Sequence, residues 1–461
     1  MARPRGGGGK MSGEPSATLL EQARPGDDPS VAGERSGELG ALSQPNPTKA
    51  HNAKSWQHLR VAIVHHWFIS RAGGERVVET IASLFPNADL FTLFLDKQEL
   101  PSGLQKHKIT TSFLDRSGVA RGAHRHFLPF FPLAVEMLDL SGYELVITSD
   151  SGPMKGVLTD PESTHICYCH SPMRYLWDGY SAYLRSMPPL TRSLFGLTAH
   201  YVRNWDYAAA QRVDHFIANS NYVAGRIRKY YRRDSTVIHP PINTSQSFLA
   251  RKHEDYYLAV GRLVPYKRTD ILIDACTKLG RRLVIVGDGP EMNRLKKRSG
   301  KNVEFLGEVD ECQLRNLYAQ CRALLFAADE DFGMVPLEAQ SYGRPVIAFG
   351  KGGSLETVVG AYSPIRAQEF YKDPAITGVF FGEQTADSLA EAIRSFESCE
   401  KIFVPRHIQL HARKFDTSVF VSRLREHIDS VIQAPFSSPN RKDKDEMILQ
   451  PAQIALLGQN P

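Results

Sequence analysis

Short apolar runs, each passing into a glycine-bearing turn and then a helical pattern, recur along this chain and leave it few folds to choose from. Residues 61–64 form the first run. They lead through His65, His66 and Trp67, read as a loop, into Gly73 and Gly74, which open a helix to about residue 84. Residues 90–94, 143–149, 165–169 and 213–217 read as further strands. A second series begins at 256–260 and continues through 283–286, 303–307, 323–328, 345–349 and 377–381. Unbroken apolar runs alternating with helices indicate parallel sheets covered on both faces. The expected fold class is therefore α/β, with two Rossmann-like, doubly wound domains. Residues 236–241, stopped by Pro240 and Pro241, read as the hinge between them.

The expected domains are 59–243 and 244–415, followed by a helix at 416–433 that packs back on the first domain. Residues 1–58 are rich in Gly and Pro and poor in patterned apolar residues. They read as a disordered tail, as does 434–461, and either Met1 or Met11 could be the start. A net charge of +6 is too mild to call for a nucleic acid partner. No apolar run approaches the roughly eighteen residues a membrane span needs. No apolar core follows the basic N-terminus, so the reading is a cytoplasmic protein, at most peripheral at the inner membrane face. The six cysteines are scattered and read as reduced thiols, with no metal site.

Four stretches carry candidate chemistry. Glu330 and Glu338 flank a strand-to-helix turn containing Phe332, Gly333 and Met334. Glycine admits close backbone approach, and a helix start offers unpaired N–H groups to an oxygen-rich ligand. Read alone, the two are either a working pair or ordinary exposed glutamates. Arg262 and Lys267 leave the first strand of the second series through a glycine turn, where a diphosphate could be neutralised; solvated surface cations are the alternative. His170 stands directly after the 165–169 strand, the end at which open α/β sheets bind ligands. It is either functional or structural. Residues 121–131, with Arg121, Arg125, Phe130 and Phe131, suit either an anionic bilayer or a packed helix pair with a basic rim.

Taken in order, these motifs resemble one family. His170-Ser171-Pro172, Gly261-Arg262 with Lys267, Gly287-Asp288-Gly289-Pro290-Glu291 and the Glu330…Glu338 pair resemble the retaining glycosyltransferases of family 4, of GT-B fold, over residues 59–433. The run from Tyr168 to Asp178 is similar to bacterial enzymes of O-antigen or exopolysaccharide synthesis that use GDP-mannose. The resemblance implies that Arg262 and Lys267 grip the donor diphosphate and that Glu338 holds the ribose hydroxyls. Glu330 would lie near the sugar and its phosphates. Backbone at Phe332, Gly333 and Met334 would reach the transferred sugar, with His170 at its reacting face. Gly73 and Gly74 would lie beside the diphosphate, although a third close glycine is missing. Backbone near Gly287 and Phe305 would read the base.

The implied activity is transfer of a hexose, mannose foremost, to a glycan or polyprenyl-linked acceptor. A UDP-hexose donor, or a catalytically silent sugar-nucleotide-binding partner, are the alternatives. No cofactor and no essential metal are expected. Asp329 and Asp331 bracket Glu330 in an Asp-x-Asp pattern that elsewhere binds a metal, but Arg262 and Lys267 already supply positive charge.

Overall fold

A computed structural model describes residue 56 and residues 58–69, 73–115, 124–364 and 375–433. Among the described residues two seven-stranded sheets form the scaffold, ordered β3-β2-β1-β4-β5-β6-β7 and β10-β9-β8-β11-β12-β14-β13. Every strand pairing in them is parallel. The first sheet comprises β1 (Val61–Phe68), β2 (Asp89–Leu95), β3 (Ile109–Thr111), β4 (Leu145–Asp150), β5 (Thr164–Cys169), β6 (His215–Ala218) and β7 (Thr236–Val237). The second comprises β8 (Tyr257–Val260), β9 (Leu283–Val286), β10 (Val303–Gly307), β11 (Ala323–Phe326), β12 (Val346–Phe349), β13 (Gly360–Tyr362) and β14 (Gly378–Phe381). Both orders reverse direction beside the first strand of their series, which opens a crevice at the carboxyl edge.

The central strands are buried on both faces, as parallel sheets demand. Two expectations are corrected in the first lobe. His65, His66 and Trp67 are strand, not loop, because β1 pairs on both sides: His65 lies opposite Thr92 and Ser149, and Trp67 opposite Phe94. Trp56, expected in an unpatterned tail, is buried; its ring lies 4.9 Å from Phe85 and its Nε1 donates to Asp429 Oδ1 at 2.6 Å. The edge strands β3 and β13 and the helix Pro405–Ala412 have no counterpart in the sequence reading.

The chain passes between the lobes twice, side by side. Ile242 N donates to Phe415 O at 3.0 Å and Thr417 N to Ile242 O at 3.1 Å; Thr244 Oγ1 donates to Asp416 Oδ2 at 2.6 Å. Beyond that crossing, the helix Thr417–Gln433 places Phe420, Leu424 and Ile428, one per turn, in the first lobe's core with Ile63, Ile81 and Tyr168. Beneath the carboxyl end of β4, Lys155 is wholly buried between Asp150 (3.1 Å) and Asp206 (2.5 Å). Burial alone would strip its proton, but the two carboxylates more than reverse this and hold its pKa well above the usual value.

Candidate active site

The carboxyl edges of the two sheets face each other across a cleft, and the glycine pair brings the two lobes close together. The helix Gly73–Leu84 starts there. A Cβ on Gly73 would stand 2.8 Å from Met334 Sδ of the other lobe. One on Gly74 would stand 3.6 Å from His65 Cε1 and 3.8 Å from His170 Nε2. The two glycines thus let one helix start approach both the His170 ring and the opposite lobe.

His170 is held by its neighbours on the sheet. Its N–H donates to Asp150 O at 2.8 Å, its carbonyl accepts from Asn219 Nδ2 at 2.9 Å, and its Nε2 pairs with Ser149 Oγ at 2.8 Å. Burial, and then the nearby His65, lower its pKa to about 3, so at neutral pH the ring is uncharged. His65 donates from Nδ1 to Ser149 O at 3.1 Å and turns Nε2 towards buried Glu75, 4.0 Å away.

Across the cleft, Gly261 ends β8 in the left-handed half of backbone space (φ +142°), and Arg262 follows, exposed. A small cavity at the ends of β8, β9 and β11 is lined by Gly261, Arg262, Lys267 and Phe326. Lys267 Nζ touches Glu330 Oε1, and each side chain is only 17% exposed. Burial drives the lysine pKa down to about 8 against the opposing field of Glu338. The Glu330 contact also favours the ammonium, so deprotonation begins no lower than this.

The turn between β11 and the helix Met334–Ser341 is built on glycine. Gly333 adopts φ +89°, and Gly352 and Gly353 back the turn so closely that a Cβ on either would stand 2.4 Å from Glu330 O or 2.2 Å from Phe332 Cα. Gly353 N donates to Glu330 O at 2.8 Å. Phe332 turns its ring into the hinge, 5.2 Å from His239 and 5.9 Å from Phe415. Glu338, one helical turn further on, accepts from Tyr318 Oη at 2.8 Å and from Arg76 Nη1 at 2.7 Å. That last contact crosses the cleft.

Each acidic residue of the turn has its own cation. Asp329 pairs with Lys351 at 2.9 Å, Glu330 with Lys267 and Asp331 with Arg226. Among the described residues no cluster of three His, Cys, Asp or Glu could hold a metal ion. Arg226 also pairs with Asp178 at 2.6 Å, Arg174 Nη1 donates to Asp329 O at 3.1 Å, and Ser220 Oγ donates to Asp331 O at 2.6 Å.

The structure therefore brings His170, Gly73, Gly74 and Met334 together and, on the facing lobe, Lys267, Glu330 and the cavity beside Arg262. Gly287 N donates to Gly307 O at 2.7 Å, a Cβ on it would stand 2.2 Å from Gly261 O, and the partly buried Phe305 packs against the core. Arg76, Arg174, Arg226 and Asp331 were not among the expected site residues.

A family model described as Glycosyltransferase Family 4 matches residues 71–246, and one described as Glycosyl transferases group 1 matches residues 242–415. The O-antigen chain mannosyltransferase C of Escherichia coli is 29% identical over 42% of this chain and 58% of its own length. A GDP-mannose-dependent phosphatidylinositol monomannoside mannosyltransferase of Mycobacterium tuberculosis is 38% identical over 22% of this chain and 31% of its own length. The chain spans about half the length of the curated relatives it matches. Among solved structures, sucrose-phosphate synthase of Thermosynechococcus elongatus aligns over 81% of this chain and 99% of its own, at TM-score 0.60 and 16% identity. The Anabaena protein HepE, in complex with UDP and glucose, aligns over 81% of this chain and 100% of its own, at TM-score 0.58 and 18% identity. At such identities these two show the fold. With both family models in sequence across its two parallel-sheet lobes, the chain belongs to the family 4 glycosyltransferases and has the GT-B fold.

Proposed function

We propose that the protein is a retaining hexosyltransferase that moves mannose from GDP-mannose to a glycan or lipid-linked acceptor in cell-surface polysaccharide synthesis. The observation that carries this reading is the facing of two sets of groups across one cleft. A largely buried cation (Lys267) with a paired carboxylate (Glu330) stands opposite an uncharged imidazole (His170) and a glycine-lined helix start. Mannosyltransferases among the relatives favour mannose.

Cleaving the anomeric C–O bond puts negative charge on the departing diphosphate. In this reading Arg262 and Lys267 stabilise that charge, and the helix start at Gly73 adds its partial positive end. Glu330 orients Lys267. Glu338 receives the ribose hydroxyls once Arg76 gives up its contact. His170, uncharged, supports the sugar's reacting face without repelling positive charge there. Glu330 and Glu338 are engaged by Lys267, Arg76 and Tyr318, so neither is cast as a nucleophile. The departing phosphate oxygen takes the acceptor proton on the same face, which retains configuration. The pairing of Asp329, Glu330 and Asp331 with protein cations supports transfer without a metal. Strong chelation should leave the rate unchanged, and a loss that magnesium or manganese restores would refute this.

A UDP-hexose donor is the second reading, favoured by the UDP complex of HepE. A cytoplasmic site of action and membrane contact through residues 121–131 complete the proposal. Of that segment, 121–123 lie outside the described residues, as do the side chains of His124, Arg125 and His126. The deciding experiment is a thermal-shift panel of GDP- and UDP-sugars followed by anomeric NMR of the product. A shift with GDP-mannose and an α-linked product are expected. A shift confined to UDP-sugars selects the second reading; a shift without transfer to any acceptor selects a silent binding partner.

A further inference from the structure

We infer that the helix Pro189–Gln211, with the short helix Tyr180–Ser186 before it, is a docking face for an anionic lipid surface that lies outside residues 121–131 and adjoins them. Leu194, Leu197 and Tyr201 lie at helical spacing on one stripe and are 68%, 72% and 53% exposed. Singly exposed apolar residues are ordinary, but three in register on one helix face are a surface made for contact. The opposite side of the helix is already satisfied: Ala199 and Val202 are fully buried in the core that holds Leu128 and Phe131. Tyr183, also exposed, extends the apolar surface onto the preceding helix.

Charge identifies the occupant. From Gly179 to Trp205 the sequence contains no Asp or Glu, but it carries Arg185, Arg192 and Arg203. Arg185 and Arg192 are exposed, and Arg192 hydrogen-bonds to Met187 O at 2.9 Å and Arg185 O at 3.2 Å, which gathers both cations at one end of the stripe. The helix also touches the turn His124–Phe130, in a stretch (116–135) equally free of acid, where Phe130 and Leu133 are exposed. An apolar stripe bordered by arginines with no acidic residue between suits the boundary of an anionic bilayer, whose headgroups attract the cations while the acyl region takes the leucines.

The placement suits delivery of a lipid-linked acceptor. Tyr183 lies 6.1 Å from Tyr175, ring to ring, and the same loop carries Arg174, which reaches across the cleft to Asp329. A bilayer on this face would therefore lie beside the cleft mouth. This sense rests on the transferase reading, but the binding measurement does not.

The test is sedimentation of the full chain with phosphatidylcholine vesicles, with and without phosphatidylglycerol. Two variants are compared with wild type: Leu194→Ser with Leu197→Ser and Tyr201→Ser, and Arg185→Glu with Arg192→Glu. Wild type is expected to partition onto the anionic vesicles, and each variant to lose about tenfold or more in partition, the scale of one buried leucine for the first and of two lost surface cations for the second. Nucleotide-induced thermal shifts should persist in both variants, reporting an intact fold. Wild-type partition by either variant, or no partition by wild type, overturns the inference. So does light scattering that shows the triple variant turning a dimer into a monomer with vesicle binding unchanged, which would assign the stripe to a second copy. Stripe-dependent partition without any nucleotide-induced shift would leave the docking face standing and remove the transferase reading.

Discussion

Replacing Lys267 by alanine tests the proposed donor grip most directly, because the structure separates its effect on stability from its effect on rate. Lys267 and Glu330 are each only 17% exposed and touch each other. Removing the ammonium leaves a largely buried carboxylate without its partner, at a cost of about 1–3 kcal/mol. Glu330→Gln added to Lys267→Ala should recover much of that loss, since no charge then remains unpaired. Transfer should not recover. A fixed group that stabilises charge only in the transition state contributes about 2.7–4 kcal/mol, so kcat should fall by about 10²–10³ in both variants. The assay is the initial rate at saturating donor beside the melting temperature of each protein. The wild type carries its own control: burial lowers the lysine pKa to about 8 and the Glu330 contact opposes it, so kcat/KM should be level through neutral pH and fall only at or above about pH 8, approaching tenfold per pH unit. A folded Lys267→Ala variant with kcat within about threefold of wild type would refute the assigned role.

Arg76→Ala should tighten donor binding by about two- to fivefold, since a pair whose arginine is 63% exposed is worth about 0.5–1 kcal/mol and the ribose must displace it; calorimetry showing weaker binding would make Arg76 a donor ligand. Asp331→Ala removes one of the two carboxylates that pair with Arg226, whose side chain is 8% exposed, and should lower stability by about 1 kcal/mol, since Asp178 remains, and raise the donor KM; an unchanged KM would release the turn from any dependence on this pair. His165 and His170, both held near pKa 3 by burial, should show imidazole NMR signals that do not move between pH 8 and 5. Because the unfolded chain takes up protons first as pH falls below about 6.5, each withdraws stability in that window, about 2 kcal/mol for His165 by pH 5; titration midpoints near 6.5 would overturn both statements.

What the sequence disclosed was local. Strand, glycine turn and helix start are neighbours along the chain, so Gly73, His170, Arg262 and Glu330 could be placed at sheet edges from pattern alone. Nothing local to Gly352 and Gly353 showed that they back the Glu330 turn. What escaped was pairing at long range. Arg76 follows the glycine pair directly, yet its partner Glu338 is 262 residues away. Arg174 and Asp178 lie within a run noticed for its resemblance, while the residues that complete their network, Arg226 and Asp331, come from distant elements. An isolated arginine carries no mark of which carboxylate it will meet, because ion pairing has no sequence period. The same limit accounts for β1, whose polar end continues as strand only because β2 and β4 flank it.

Those long-range pairs lead to one mechanical consequence. The turn that presents Glu330 belongs to the second lobe, but much of what fixes it belongs to the first: Arg174 on Asp329 O, Tyr222 on Asp329 Oδ1, Ser220 on Asp331 O and Arg226 on Asp331 Oδ1. The second lobe answers in kind, since Glu356 accepts from Asn221 N and Tyr222 N at the start of the helix Asn221–Tyr231 and from His239 at 3.3 Å. From its own side the turn has the backing of Gly352 and Gly353 and the Lys267 contact. Any separation of the lobes along this line must break the first set while sparing the second. Opening the cleft along this line therefore strips those contacts from the turn that carries Glu330, and a ligand that favours the closed arrangement favours them too.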